Sequence, residues 1–240
     1  MQTTLEKTVR EIALENPSSI RVFESLGIDY CCGGKRPLSE ACSHAKVDLG
    51  RVLELLEQSA RDSQAPVAGE WSAKPLRDLT AHIAEKHHGY VRRETPRVEA
   101  LLAKVAAKHG PTHPEIAQIE RLFSAMGQEL STHMLKEEQV LFPYIERMEQ
   151  AVQAGNPVPV AFFGSVKRPI ANMVAEHDDA GALLSRIREL SNGYTAPRGA
   201  CPTFVALYRG LEEFERDLHH HVHLENNLLF LRAVEMEEAH

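Results

Sequence analysis

His133 and Glu137 stand four residues apart in the stretch STHMLKEEQVLFPYI, and His221 and Glu225 repeat that spacing in HVHLENNLLF. Residues four apart share one face of a helix, one turn above the other. An imidazole offers a nitrogen lone pair and a carboxylate offers hard oxygens, so each pair can ligate a divalent cation. The surrounding residues make the placement costly. In the second stretch Leu218, His221, Val222, Glu225, Leu228 and Leu229 form one stripe, apolar apart from the His and the Glu. In the first, the stripe is Leu130, His133, Met134, Glu137, Val140, Leu141 and Tyr144. A carboxylate buried without a partner costs roughly several kcal/mol or neutralises by a shift in its pKa. Two such carboxylates among buried imidazoles make sense if cations lie between them.

The two stretches are copies. His133 overlies His221, Glu137 overlies Glu225, and Leu141-Phe142 overlie Leu229-Phe230, all offset by 88 positions. Two further histidines, His88 and His177, are offset by 89. His177 lies on the stripe Ile170, Met173, Val174, His177, Gly181, Leu184. The periodicity around Leu76, Leu79, Ile83 and Tyr90 accepts His88 and also accepts His87. The chain therefore reads as two helix hairpins, each supplying one His and one His-x-x-x-Glu, related by a pseudo-twofold axis. Four imidazoles and two carboxylates divide into three ligands per metal, with Glu137 and Glu225 placed to bridge two ions. Mixed nitrogen and oxygen ligation suits non-haem iron, and the same ligand types are compatible with zinc or manganese.

Helical periodicity runs through the whole sequence, and no long alternating strand pattern occurs. Residues 1–62 read as a small domain of short helices, with Thr4 as the first cap and Gly27 as a C-terminal stop. SQAPVAGEW marks a linker over 63–71. Residues 72–238 read as four long helices joined by turn-rich loops, which implies an up-down-up-down four-helix bundle. Ser72 is the expected cap of the first long helix. Pro96 and Pro143 are expected to bend their helices, and Asn192-Gly193 to close the third. His221 is expected to face inward, while His219, His220, His223, Asn226 and Asn227 make up the outward polar face.

The chain has 240 residues, 27 Lys+Arg against 34 Asp+Glu, a net charge of -7, and 13 histidines. That balance argues against a nucleic-acid surface, which needs a basic patch. The basic run YVRRETPR reads as a solvated helix face. No run approaches the roughly 20 apolar residues of a membrane span, and the polar opening stretch reads as an amphipathic helix rather than a secretion signal. A soluble cytoplasmic protein is expected. Four cysteines, Cys31, Cys32, Cys42 and Cys201, fit a reducing compartment better than a disulfide scaffold. Cys42 and Cys201 have no obvious partner and read as structural.

DYCCGGKRPL, HMLKEEQVLFP, EHDDAG and HLENNLLF, in that order, resemble the RIC (repair of iron centres) proteins over nearly the whole chain. The resemblance implies a vicinal-cysteine domain followed by a hemerythrin-like bundle. It carries the iron ligands onto His88, His133, Glu137, His177, His221 and Glu225, which favours His88 over His87. It implies two non-haem iron ions with bridging carboxylates and an oxo or hydroxo bridge. The implied role is repair of iron–sulfur clusters damaged by nitrosative or oxidative stress, by donating iron to damaged or apo iron–sulfur proteins. Binding or reduction of nitric oxide is the alternative, with nitric oxide or dioxygen as small ligands. A homodimer is compatible with this reading. Cys31 and Cys32, followed by two glycines, would gain thiolate character at a helix N-terminus, and the resemblance gives them a redox or iron-handling role. The sequence departs from the family pattern in its extra histidines near His221 and in the absence of a proline after Phe230.

Overall fold

A computed structural model describes residues 7–16, 18–30, 34–61, 71 and 73–239. Among these residues the chain is all-α, with no named strand. The small domain contains α1 (Val9–Glu15), α2 (Ser19–Leu26), α3 (Leu38–Ala45) and α4 (Leu49–Arg61). Thr8 caps α1. The Thr8 hydroxyl accepts from the Glu11 N–H while the Glu11 carboxylate accepts from the Thr8 N–H, a reciprocal capping box. Thr4 lies outside the described residues. Gly27 ends α2 at φ 65°, in the left-handed region, where glycine carries no Cβ penalty. Val9, Phe23, Tyr30, Leu38 and Val52 form the core of this domain, with Cys42 buried among them.

The bundle has four long helices. α5 comprises Leu76–His82, a π-helical turn Ile83–His88, and Gly89–His109. α6 comprises Glu115–Lys136, a π turn Glu137–Leu141, and Phe142–Gln153. α7 is Lys167–Leu190, and α8 comprises Pro202–Leu224, a π turn Glu225–Leu229, and Phe230–Ala239. The last segment of α5 continues through Pro96. α7 ends before Asn192 and Gly193, both at positive φ, as the turn chemistry implies. Ser72 lies outside the described residues, and α5 begins at Leu76. Its first amides are capped from another helix: Leu76 N–H and Arg77 N–H donate to the two Glu149 oxygens at 2.6 and 3.1 Å.

Two apolar clusters fill the bundle. One holds Val91 to Val105 of α5, Ile116 to Met134 of α6, Ala180 to Ile187 of α7 and Phe204 to Val222 of α8. The other holds Leu76 to Ile83, Leu141 to Met148, Ile170 to Met173 and Leu224 to Ala233. The order reverses from helix to helix, as up-down-up-down topology requires. Where the two clusters meet, at one level on all four helices, stand His88, His133, Glu137, His177, His221 and Glu225. A polar band thus crosses an otherwise apolar interior.

The three π turns lie in this band. A π turn closes i→i+5 bonds and holds one extra residue, which rotates everything that follows. It corrects the simple stripe: after Glu137 the buried residues are Leu141 and Phe142, and Val140 is only half-buried. Pro143 sits in the first turn of the segment after the π turn, where a missing N–H is harmless. α8 makes the same turn with no proline, so proline is not its cause.

Candidate functional site

Six buried side chains converge between the apolar clusters. His88 comes from the end of the α5 π turn, and Glu137 and Glu225 open the π turns of α6 and α8. His133 and His221 lie one turn earlier on α6 and α8, and His177 lies mid-way along α7. His88 Nε2 is 3.1 Å from His221 Nε2, 3.4 Å from Glu137 Oε2 and 3.8 Å from Glu225 Oε1. His221 Nε2 is 2.9 Å from Glu225 Oε1. On the other side His177 Nε2 is 3.0 Å from His133 Nε2 and 3.1 Å from Glu225 Oε2, and His133 Nε2 is 3.3 Å from Glu137 Oε1. The donors form two groups, His88–Glu137–His221–Glu225 and His133–Glu137–His177–Glu225. Both groups use Glu137 and Glu225, one oxygen to each side. Each position therefore has four donors, one more than the sequence count of three.

This donor set fits a cation. Glu137 is fully buried, yet neither of its oxygens has a hydrogen-bond partner, and Glu225 Oε2 is also unsatisfied. Buried polar atoms are ordinarily paired. Burial and the facing Glu225 charge oppose ionisation of Glu137, but His133 and His88 outweigh them and hold its pKa below the usual range. Burial opposes charge on His88, yet the Glu137 and Glu225 carboxylates facing it push its pKa up to about 10. Burial likewise disfavours charged His133, and the Glu137 carboxylate overrides it to about 9. A cation between the carboxylates would take the place of the protons these imidazoles hold.

A second layer orients three of the four rings. His88 Nδ1 meets Glu138 Oε1 at 2.7 Å, and Glu138 is held in turn by Arg92 at 2.7 Å. His133 Nδ1 meets Glu176 Oε2 at 2.8 Å, with Lys136 paired to the same carboxylate. His177 Nδ1 meets Asn226 Oδ1 at 3.0 Å. Each acceptor fixes the tautomer that presents Nε2 inward. A cavity of about 430 Å³ opens beside His133, lined also by Glu129, Lys136, Glu176 and Asp179.

The hemerythrin HHE cation-binding domain matches residues 79–233, the four-helix portion. ScdA_N, a domain of unknown function (DUF542), matches residues 5–60. The iron–sulfur cluster repair protein YtfE of Pectobacterium atrosepticum is 36% identical over 232 residues, covering 97% of this chain and 98% of that protein. The YtfE proteins of Citrobacter koseri and Salmonella paratyphi B are each 34% identical over 229 residues, covering 95% of this chain and 97% of theirs. The chain belongs to the RIC family.

As a RIC-family protein it carries a cation-binding domain with buried His/Glu groups that could hold a metal. His87, the alternative to His88, lies outside both groups. Its Nδ1 meets Asp217 at 3.2 Å and its ring stacks on His221 at 5.5 Å and 8°. The expectation that His219, His220, His223, Asn226 and Asn227 face outward is corrected. His223, Asn226 and Asn227 are buried, and His219 and His220 are partly covered. The small domain covers this side: Tyr30 packs edge-on against His219 and His223, and Arg10 donates to the Asn226 carbonyl at 3.2 Å. Helical periodicity sees one buried face, and a second domain on the other face is invisible to it. Cys201, expected to lack a partner, meets His109 Nε2 at 3.2 Å.

Cys31 and Cys32 lie outside the described residues. Their described flanks are tied down: Gly34 accepts from the Arg10 N–H at 2.8 Å. The residues missed from sequence are Glu138, Glu176 and Asn226. A signal existed, because each directly neighbours a site residue in sequence. A helix turns about 100° per residue, so such a neighbour sits at the stripe's edge and faces the adjacent helix. Glu138 and Asn226 also share the 88-residue offset of the repeat. Arg92, read as part of a solvated basic run, holds Glu138. Among the described residues no helix is long and apolar enough to cross a membrane.

Proposed function

We propose that the chain holds two non-haem iron ions between α5, α6, α7 and α8 and repairs damaged iron–sulfur clusters by donating iron to damaged or apo clients. The observation that carries this is the pair of buried carboxylates, Glu137 and Glu225, each shared between two His pairs and left with unsatisfied oxygens. His88 and His221 would hold one ion, and His133 and His177 the other, with both carboxylates bridging. Two ions there would supply a redox-active centre with open coordination positions. Glu138, Glu176 and Asn226 keep three rings turned inward, and apolar clusters lie above and below the band. The full-length homology to proteins named for iron–sulfur cluster repair supports the role. Cys31 and Cys32 would handle the iron in transit.

Iron-loaded protein should restore activity to an apo iron–sulfur enzyme such as apo-aconitase, and Glu137→Leu should abolish the transfer. Equal reactivation by the variant, or none by the wild type, refutes the reading. The alternative, nitric oxide binding or reduction, is favoured by the cavity beside His133, which borders the band at that one residue. Consumption of nitric oxide with release of N2O, and no iron transfer, would establish it instead.

A further inference from the structure

The repeat relates the second layer as well as the ligands, and it breaks at one place. His88 and His177 correspond, and so do their acceptors Glu138 and Asn226. His133 and His221 correspond, and His133 Nδ1 has Glu176 at 2.8 Å. The counterpart of Glu176, at the 89-residue offset, is His87. His87 reaches its symmetry-related place, against His221, but does not act as an acceptor there. Its ring lies parallel to the His221 ring, 8° from coplanar with centroids 5.5 Å apart, while its Nδ1 engages Asp217. His221 Nδ1 is consequently buried with no hydrogen-bond partner.

Resting on the two-metal reading above, we infer that the two metal positions are inequivalent, and that the ion between His88 and His221 is the one released first. An acceptor on the outer nitrogen fixes the imidazole tautomer and raises its basicity as a ligand. Loss of such a partner typically lowers metal affinity roughly 10- to 100-fold. Three of the four rings have that partner, and both rings of the His133–His177 position are among them. For a protein that gives iron away, this inequivalence separates a labile ion from a retained one. The 430 Å³ cavity lies on the opposite side, beside His133, so release governed by solvent access would run in the reverse order.

The test is stepwise metal extraction from the full chain loaded anaerobically with two equivalents of Fe(II) and chased with excess chelator. One ion should leave roughly 10- to 100-fold faster than the other. Crystals frozen after the fast phase should show anomalous iron signal lost between His88 and His221 and kept between His133 and His177. Glu176→Ala, which strips the acceptor from His133 at a partly exposed side chain, should bring the slow phase up toward the fast one. His87→Glu, which restores the missing acceptor, should slow the fast phase. Two ions leaving at one rate, loss first from the His133–His177 position, or an unchanged slow phase in Glu176→Ala each overturn the inference while leaving the two-metal reading standing. Binding of fewer than two ions refutes that reading, and the inference with it.

Discussion

Replacing Glu137 with leucine separates a side chain kept for chemistry from one kept for stability. Glu137 is fully buried, has no hydrogen-bond partner, and faces a second buried carboxylate, Glu225. Its only compensation is the charge on His88 and His133, at 3.4 and 3.3 Å. Those imidazoles can discard their protons when the carboxylate goes. Buried ion pairs replaced by apolar side chains of similar volume are commonly neutral or stabilising by about 1–4 kcal/mol. Metal-free Glu137→Leu should therefore melt at or above metal-free wild type. For a domain of this size each kcal/mol corresponds to about 2–4 °C. The metal-loaded comparison reverses. A cation at 100 times its Kd adds about 2.7 kcal/mol, and the variant lacks a donor in both positions. Circular-dichroism melts of chelator-treated and Fe(II)-loaded proteins give both comparisons. A metal-free variant destabilised by more than about 3 kcal/mol would show that Glu137 is a structural ion-pair member. Equal metal stabilisation of both proteins would refute the shared-carboxylate site.

Two further outcomes follow from the same geometry. Because the pKa values of His88 and His133 are raised to about 10 and about 9 without metal, both carry protons at neutral pH, and an incoming cation must displace them. Titration calorimetry in buffers of different ionisation enthalpy should show proton release at pH 7, with affinity rising about tenfold per pH unit for each displaced proton. An affinity that is flat between pH 6 and 8 refutes it. The same shifts stabilise the metal-free fold fully below about pH 6.5, the ordinary imidazole value, and that contribution is lost as pH climbs through about 9 to 10. Glu149→Ala strands the first two amides of α5 and should cost about 1–2 kcal/mol in a thermal melt, with metal content unchanged; a melt matching wild type refutes the cap.

The convergence of the six His and Glu side chains was legible because duplication writes it twice. A single inward histidine is ordinary, but His133–Glu137 and His221–Glu225 in one register are not, and the structure brings both pairs together with His88 and His177. What escaped the sequence escaped for identifiable reasons. The cap of α5 comes from Glu149, a helix away, and local cap rules search only neighbouring residues. The π turns leave no trace in a stripe drawn at 3.6 residues per turn, which buries Val140 where the structure buries Phe142. The extra histidines of α8 looked solvated because a bundle helix has one buried face by default. Here Tyr30 and Arg10 of the small domain cover the other.

That covering contact joins the two halves of the chain. Arg10 holds the carbonyl of Asn226 while the Asn226 side chain holds His177, so one residue of the α8 π turn touches both the small domain and the polar band. Gly34, next to the vicinal thiols, is bonded to the same Arg10. A π turn is the place on a helix where one residue can serve two neighbours, because the extra residue frees its carbonyl from the regular i→i+4 ladder. The placement of Glu225 and Asn226 at the head of that turn is therefore what lets the bundle present a carboxylate and an amide inward and a docking point outward at one level.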